Sequence, residues 1–152
     1  IGVAGNALGG GGPARQLEFL CKGAQLPPAQ LGVIEVPFRG RQLKVPGDRT
    51  FTEWSLTIIN DTDFQIRNAF ERWSDLINSH VQNIGPAGLL QIQQDWEVDQ
   101  LDRTGAVLKS YRMNGCFPTE IAGIDLSYDS GDTIEEYTVT LQYQYWTSNT
   151  TT

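Results

Sequence analysis

Apolar residues recur at every second position along most of this chain, the signature of strands with one face in a core. The pattern covers Leu17, Phe19 and Cys21 against Glu18, Leu20 and Lys22, and then Ile34, Val36 and Phe38, whose face continues at Leu43 and Val45 beyond an Arg39-Gly40 turn. Glu35, Gln42 and Lys44 occupy the other side, so this ribbon is expected to have one wet face. Trp54, Leu56 and Ile58 alternate with Ser55, Thr57 and Ile59; Ile92, Trp96 and Val98 oppose Gln93, Asp95, Glu97 and Asp99. Val107 to Met113 reads as the return arm of a hairpin, Ile124 to Tyr128 as a short strand, and Ile134 to Trp146 as a long one with Tyr137, Val139, Leu141, Tyr143 and Tyr145 on one side.

One segment breaks the period of two. Ile66, Ala69, Phe70, Trp73, Leu76 and Ile77 recur at helical spacing, which predicts an amphipathic helix from Asp63 to about Ser79 lying with its aromatic stripe on the sheet. Thr62 followed by Gln65 matches a capping box. Turn chemistry separates the elements: the glycine-rich loop 5–13, the Pro27-Pro28 break, Pro46-Gly47-Asp48, Gly85 to Gly88, Asp102 to Gly105, and an irregular connection at Asn114 to Pro118. The sum is seven or eight strands with one helix and no internal repeat. The expected fold is therefore mainly β, a β-sandwich or partly open barrel with a flanking α-helix.

At 152 residues and 39% hydrophobic content the chain is read as a single domain, 1–152, large enough for a core of its own. Ile1-Gly2-Val3 resembles the end of a strand, so an N-terminal segment is expected to be missing; residues 147–152 are expected to form a flexible tail. No apolar run approaches the ~20 residues needed to span a bilayer, and the chain reads as soluble and cytoplasmic in origin. A net charge of -7 is the wrong sign for gripping phosphates, yet an acidic wall lets a polyanion pass without sticking.

No catalytic constellation stands out in the sequence. Cys21 and Cys116 lack metal-ligand spacing and read as small buried hydrophobes. His80 is the one histidine and sits at the predicted helix C-terminus, with no serine in a nucleophile elbow to serve. Asp95 and Glu97 share a strand face as glycosidase carboxylates do, although a solvated acidic strand is the plainer reading. Asp125, Asp129 and Asp132 miss the ligand order of a calcium loop, and the glycine run precedes a strand pattern rather than a phosphate-binding helix. No enzyme activity, cofactor or metal is expected. Arg39, Arg41, Asp48 and Arg49 gather around the hairpin and the turn after it, as solvated charge or as intersubunit ion pairs.

Four ordered stretches carry a resemblance: FLCKGAQLP from Phe19, VPGDRTFTEWSLTIIND from Val45, NGCFPTEIAGIDLSYDS from Asn114 and VTLQYQYW from Val139. Together they resemble the tail tube proteins of contractile-tailed bacteriophages, with the glycine run Gly9 to Gly12 and the Thr-rich end after Trp146 as departures. The resemblance implies a virion protein, assembled in the host cytoplasm, whose protomers close into hexameric rings that stack into a hollow tube. Its implied partners are other copies of itself, the sheath, the baseplate hub, the tail terminator and a tape measure protein in the lumen, with DNA passing through without specific binding. If each protomer gives four strands to the lumen, roughly 24 strands at ~4.8 Å and a tilt of ~40° make a backbone diameter near ~50 Å. On this reading Phe38, Arg39, Arg41, Asp48 and Arg49 are candidate intersubunit contacts, and Glu35, Lys44, Asp95, Glu97 and Asp99 candidate lumen residues. The tubes of type VI secretion systems and pyocins look similar in fold and are the alternative; a small acidic carbohydrate-binding or hydrolytic β-domain is the distant one.

Overall fold

The computed structural model describes residues 2–5, 17–18, 20–80, 82, 85, 88, 92–127 and 133–150. Among them are nine strands and one long helix: β1 (Gly2–Gly5), β2 (Cys21–Ala24), β3 (Gln30–Phe38), β4 (Arg41–Thr50), β5 (Trp54–Ile59), α1 (Gln65–Ile77), β6 (Gln94–Leu101), β7 (Val107–Ile121), β8 (Glu136–Gln142) and β9 (Tyr145–Ser148). Seven strands form one antiparallel sheet in the order β1-β6-β7-β8-β5-β2, with β9 also on β7; β3 and β4 pair only with each other. The sheets are open and do not close into a barrel.

Strand β7 joins the two halves of the large sheet. Its first part pairs with β6 and β9, its last part with β8. The change of partner falls at Gly115, whose φ of +66° is a conformation that L side chains resist. The expected irregular connection at Asn114 to Pro118 is thus a kink inside a strand. Opposite it, β8 and β9 are one strand interrupted at Tyr143-Gln144, where the Gln144 N–H donates to the Asn114 carbonyl at 3.0 Å.

The two halves face each other across an aromatic core. Trp96 of β6 stacks on Trp73 (6.1 Å) and Phe70 (5.9 Å) of α1 and meets Trp54 of β5 edge-on at 6.1 Å. Each buried indole brings a polar nitrogen that needs an acceptor. Trp54 donates to the Gln25 carbonyl at 2.6 Å and Trp73 to the Ile92 carbonyl at 2.8 Å. Trp54, Leu56 and Ile58 are buried as the alternation requires, as are Ile66, Phe70 and Trp73 on the helix.

Several local expectations fail for identifiable reasons. The Leu17 to Cys21 alternation is not a strand: Leu17, Glu18 and Leu20 are helical and β2 begins at Cys21. Helix α1 spans Gln65–Ile77 and not Asp63 to Ser79; its cap is Phe64 in the left-handed region (φ 51°), with no side-chain cap, so Thr62 closes no capping box. The Thr62 N–H is taken instead by the Asp61 carboxylate at 2.8 Å. Leu76 is exposed, because Ile77 already fills the core position at that turn. Residues 122–127 form no strand, and Tyr128, Asp129 and Asp132 lie outside the described residues, as does most of the 5–13 loop. Thr147 and Ser148 belong to β9 rather than to a flexible tail, paired with Arg112 and Tyr111.

Candidate assembly interface

The β3–β4 hairpin departs most from the sequence-based picture. Pro46-Gly47-Asp48 makes no turn; β4 runs straight through it to Thr50. Proline survives inside a strand where its missing N–H faces an open edge, and both Pro37 and Pro46 lie in this two-stranded ribbon. A register shift at Gly32 accommodates the crowded base, where a Cβ on Gly32 would meet the Asp48 carbonyl oxygen at 3.1 Å. Ile34 pairs with Val45, Val36 with Leu43 and Phe38 with Arg41 on one face; Glu35 opposes Lys44 on the other. That apolar face was expected to meet a core, but Ile34, Val36, Phe38, Leu43 and Val45 are all exposed, as are Leu31 and Val33 on the opposite face.

The ribbon turns through Arg39 (φ 46°) and Gly40 (φ 82°), the two left-handed residues of a type I′ turn. Arg39 lies over the Phe38 ring at 5.3 Å, so apolar and cationic groups share the tip. Phe38, Arg39 and Arg41 are therefore one cluster. Asp48 and Arg49 are not part of it: Arg49 pairs with Leu31 at the base, eight residues from Arg41 and about 26 Å away along an extended strand.

The base is anchored at one end of the large sheet. Tyr143 and Trp146 both donate to the Pro28 carbonyl, at 3.4 and 3.3 Å, just before β3 begins. After β4, Phe51 packs on Tyr143 at 5.9 Å and the chain enters β5 at Trp54. Pro27-Pro28 thus breaks the chain and also presents a carbonyl, free of regular structure, to two aromatic donors.

On β6 the acids fall on the face away from the core, since Trp96 and Val98 are buried between them. Asp95 accepts from Arg112 at 2.9 Å and from the Gly115 N–H at 3.1 Å. The hydrogen bond from the Arg112 guanidinium holds its carboxyl below the usual range. Asp99 accepts from the Ser110 hydroxyl, and Glu97 pairs in register with Arg112. Three carboxylates and one arginine share this face, a partner that position-by-position reading of β6 missed because it sits on β7. Glu35 and Lys44 belong to the separate ribbon and are not brought beside these acids within the protomer.

This geometry offers little to catalysis. A glycosidase acid needs a raised pKa, and the shift at Asp95 is downward. His80 bonds Asp75 at 2.8 Å beyond the end of α1, next to an open polar cleft of about 700 Å³ also lined by Arg67, Glu71 and Glu120. Burial pushes the Cys116 thiol and the Tyr137 hydroxyl up to about 12, which makes both inert near neutrality. What the surface does offer is adhesive. It has an apolar ribbon standing off the body, and β1 and β2 each pair on one side only among the described residues.

Comparison with known proteins agrees with that reading. The family described as phage tail tube protein matches residues 5–149. The tail tube protein gp19 of Enterobacteria phage T4 is 31% identical over 133 residues, covering 87% of this chain and 82% of gp19. Among solved structures, the anti-feeding prophage tube-terminating cap superposes with a TM-score of 0.68 at 21% identity, over 85% of this chain and 79% of that one. The PVC sheath-tube complex of an extracellular contractile injection system gives 0.64 at 18% identity, over 97% and 86%. These two share the fold, whereas the match to the phage proteins extends through the sequence. The chain belongs to the phage tail tube protein family, and as such it is a structural, non-enzymatic component of the virion tail.

Proposed function

We propose that this protein builds the inner tube of a contractile phage tail by closing into hexameric rings that stack along the tail axis, leaving a channel for genome ejection. The observation that carries this reading is the β3–β4 hairpin, whose apolar face, from Val45 at 38% to Phe38 at 59%, stays exposed. A two-stranded ribbon of this kind is marginal alone in water, and a second protomer supplies the missing surface. The open edges of β1 and β2 give neighbours strands to extend, so ring closure removes them.

Phe38, Arg39 and Arg41 then meet the next ring, while Asp48 and Arg49 at the ribbon base contact a neighbour closer to the protomer body. Glu35 and Lys44, on the polar face of the ribbon, and Asp95, Glu97 and Asp99, on the outer face of β6, line the channel. A surplus of carboxylates there keeps duplex DNA moving. Sheath and baseplate proteins surround and terminate the tube, and a tape measure protein occupies it before ejection. The alternative is the inner tube of a type VI secretion system, pyocin or related contractile injection particle; the sequence match to phage proteins favours the tail.

Negative-stain microscopy of the purified protein at high concentration tests this. Stacked hollow rings are expected. A monodisperse monomer at every concentration and salt would contradict it.

A further inference from the structure

We propose that the hairpin tip of one protomer seats in a cleft at the opposite pole of the next protomer along the tube, Arg39 and Arg41 entering against Asp125, Glu135 and Glu136. This rests on the tube reading above and adds the receiving surface to it.

The topology roots the hairpin and opens the cleft at opposite ends of β5. Both strands of the hairpin are rooted where β5 begins, through Pro28 on one side and Phe51 on the other. Trp54 pairs with Leu141 at that end; Ile59 pairs with Glu136 at the other, five residues or about 17 Å further along. Glu135 and Asn60 meet there, and the 122–127 segment leaves β7 beside them, its Ala122 N–H donating to Thr138 at 2.8 Å. A tip at one pole and a receptor at the other make a heterologous, head-to-tail joint, the kind that continues along an axis instead of closing on itself.

Chemistry matches at the two ends. Between 123–127 and 133–136 lies an open cleft of about 360 Å³ lined by Asp125, Ser127, Thr133, Glu135 and Glu136. Glu135 accepts from Asn60 and Glu136 pairs with Lys22, both at 2.7 Å. Among the described residues, three carboxylates against one lysine leave the cleft net negative, opposite in sign to the two arginines of the tip. The rim is apolar as well: Leu126 is 86% and Ile134 70% exposed, against 59% for Phe38 at the tip. An exposed leucine and isoleucine flanking an acidic cleft suit a ligand that is both aromatic and cationic, and the Phe38-Arg39 stack is one. Complementary charge of this kind fixes partner and register more than it adds affinity.

The joint predicts an interlocking pair of variants. Arg39→Glu with Arg41→Glu reverses the tip; Asp125→Lys with Glu136→Lys reverses the cleft. Each alone sets like charges against each other at every joint, so each is expected to raise the critical concentration for tubes at least ~10-fold, with rings and circular dichroism unchanged. Mixed, the two are expected to copolymerise near the wild-type concentration, because in alternating stacks every tip meets a cleft of opposite sign. The fourfold variant is expected to polymerise alone. Should the double cleft variant misfold, Asp125→Lys alone, in an exposed segment without regular structure, cancels the net charge of the cleft and is still expected to raise the critical concentration, by less than the double variant. Folded variants that each polymerise normally, or a mixture no better than its components, would overturn the joint while leaving the tube intact. Wild-type protein that forms no tube would instead remove the tube reading, and the joint with it.

Discussion

Replacing Ile34 and Val36 with serine separates a surface made for assembly from one made for folding. Both residues lie on the apolar face of the hairpin and are 55% and 43% exposed in the protomer. Full burial of such a side chain contributes about 1.5–3 kcal/mol, so the still-exposed fractions together hold about 1.5–3 kcal/mol that only a neighbour can realise. At 1.4 kcal/mol per factor of ten, the association constant between protomers should fall roughly 10- to 150-fold. The Tm of the dilute protomer should move by no more than a few degrees, since the core of β5, β6 and α1 is untouched. Differential scanning fluorimetry at low concentration and sedimentation at high concentration read the two quantities on the same sample. A large drop in Tm with unchanged polymerisation would refute the reasoning, because it would mean that the hairpin packs on its own protomer.

Three further outcomes follow from the core and the kink. Trp96→Ala removes the ring that Phe70, Trp73 and Trp54 all contact, and should cost about 3–5 kcal/mol, seen as an early urea transition and a collapsed near-ultraviolet dichroism signal. Gly115→Ala places a side chain at φ +66° and should cost about 1–2 kcal/mol in urea titrations; pairing it with Gln144→Ala should recover little, since Gln144 Cγ, 2.9 Å from the new Cβ, is flexible and the backbone is not. Asp95 has a folded pKa below its unfolded value near 3.9, so its contribution is complete above that value and disappears as pH falls through the folded one. Asp95→Asn should therefore lower Tm slightly at pH 6 and approach wild type as the pH falls through the folded value; a gap that widened on acidification would reverse the sign.

The core was legible because periodicity and burial are local consequences of the same side chains. Trp54, Leu56, Ile58, Ile66, Phe70 and Trp73 are inside as their spacing requires. The hairpin shows where that logic stops: alternation reveals which face of Ile34, Val36, Leu43 and Val45 seeks cover, and says nothing of whether the cover lies in the same chain. Pro46-Gly47 misled for a related reason, since a proline that ends a central strand is tolerated in a ribbon with open edges. At Asn114 to Pro118 a glycine kink imitates a loop in sequence, because only the partners β6, β8 and β9 keep the strand going through it. The helix start was misplaced by a capping motif that the structure does not use, with Phe64 held left-handed by an Asp61 turn instead. The candidate contact residues divided likewise. Phe38, Arg39 and Arg41 are adjacent in sequence and cluster, whereas joining them to Asp48 and Arg49 required a turn that is not there.

A cryo-electron microscopy reconstruction of the assembled protein tests the central claim most directly, through the burial of the β3–β4 hairpin and the side to which the β6 acids face. The account predicts a hollow tube of stacked rings in which Ile34, Val36, Phe38, Leu43 and Val45 are covered by neighbouring protomers and Asp95, Glu97 and Asp99 face the channel. A tube whose hairpins stay exposed to solvent, or whose β6 acids point to its outer surface, would contradict it.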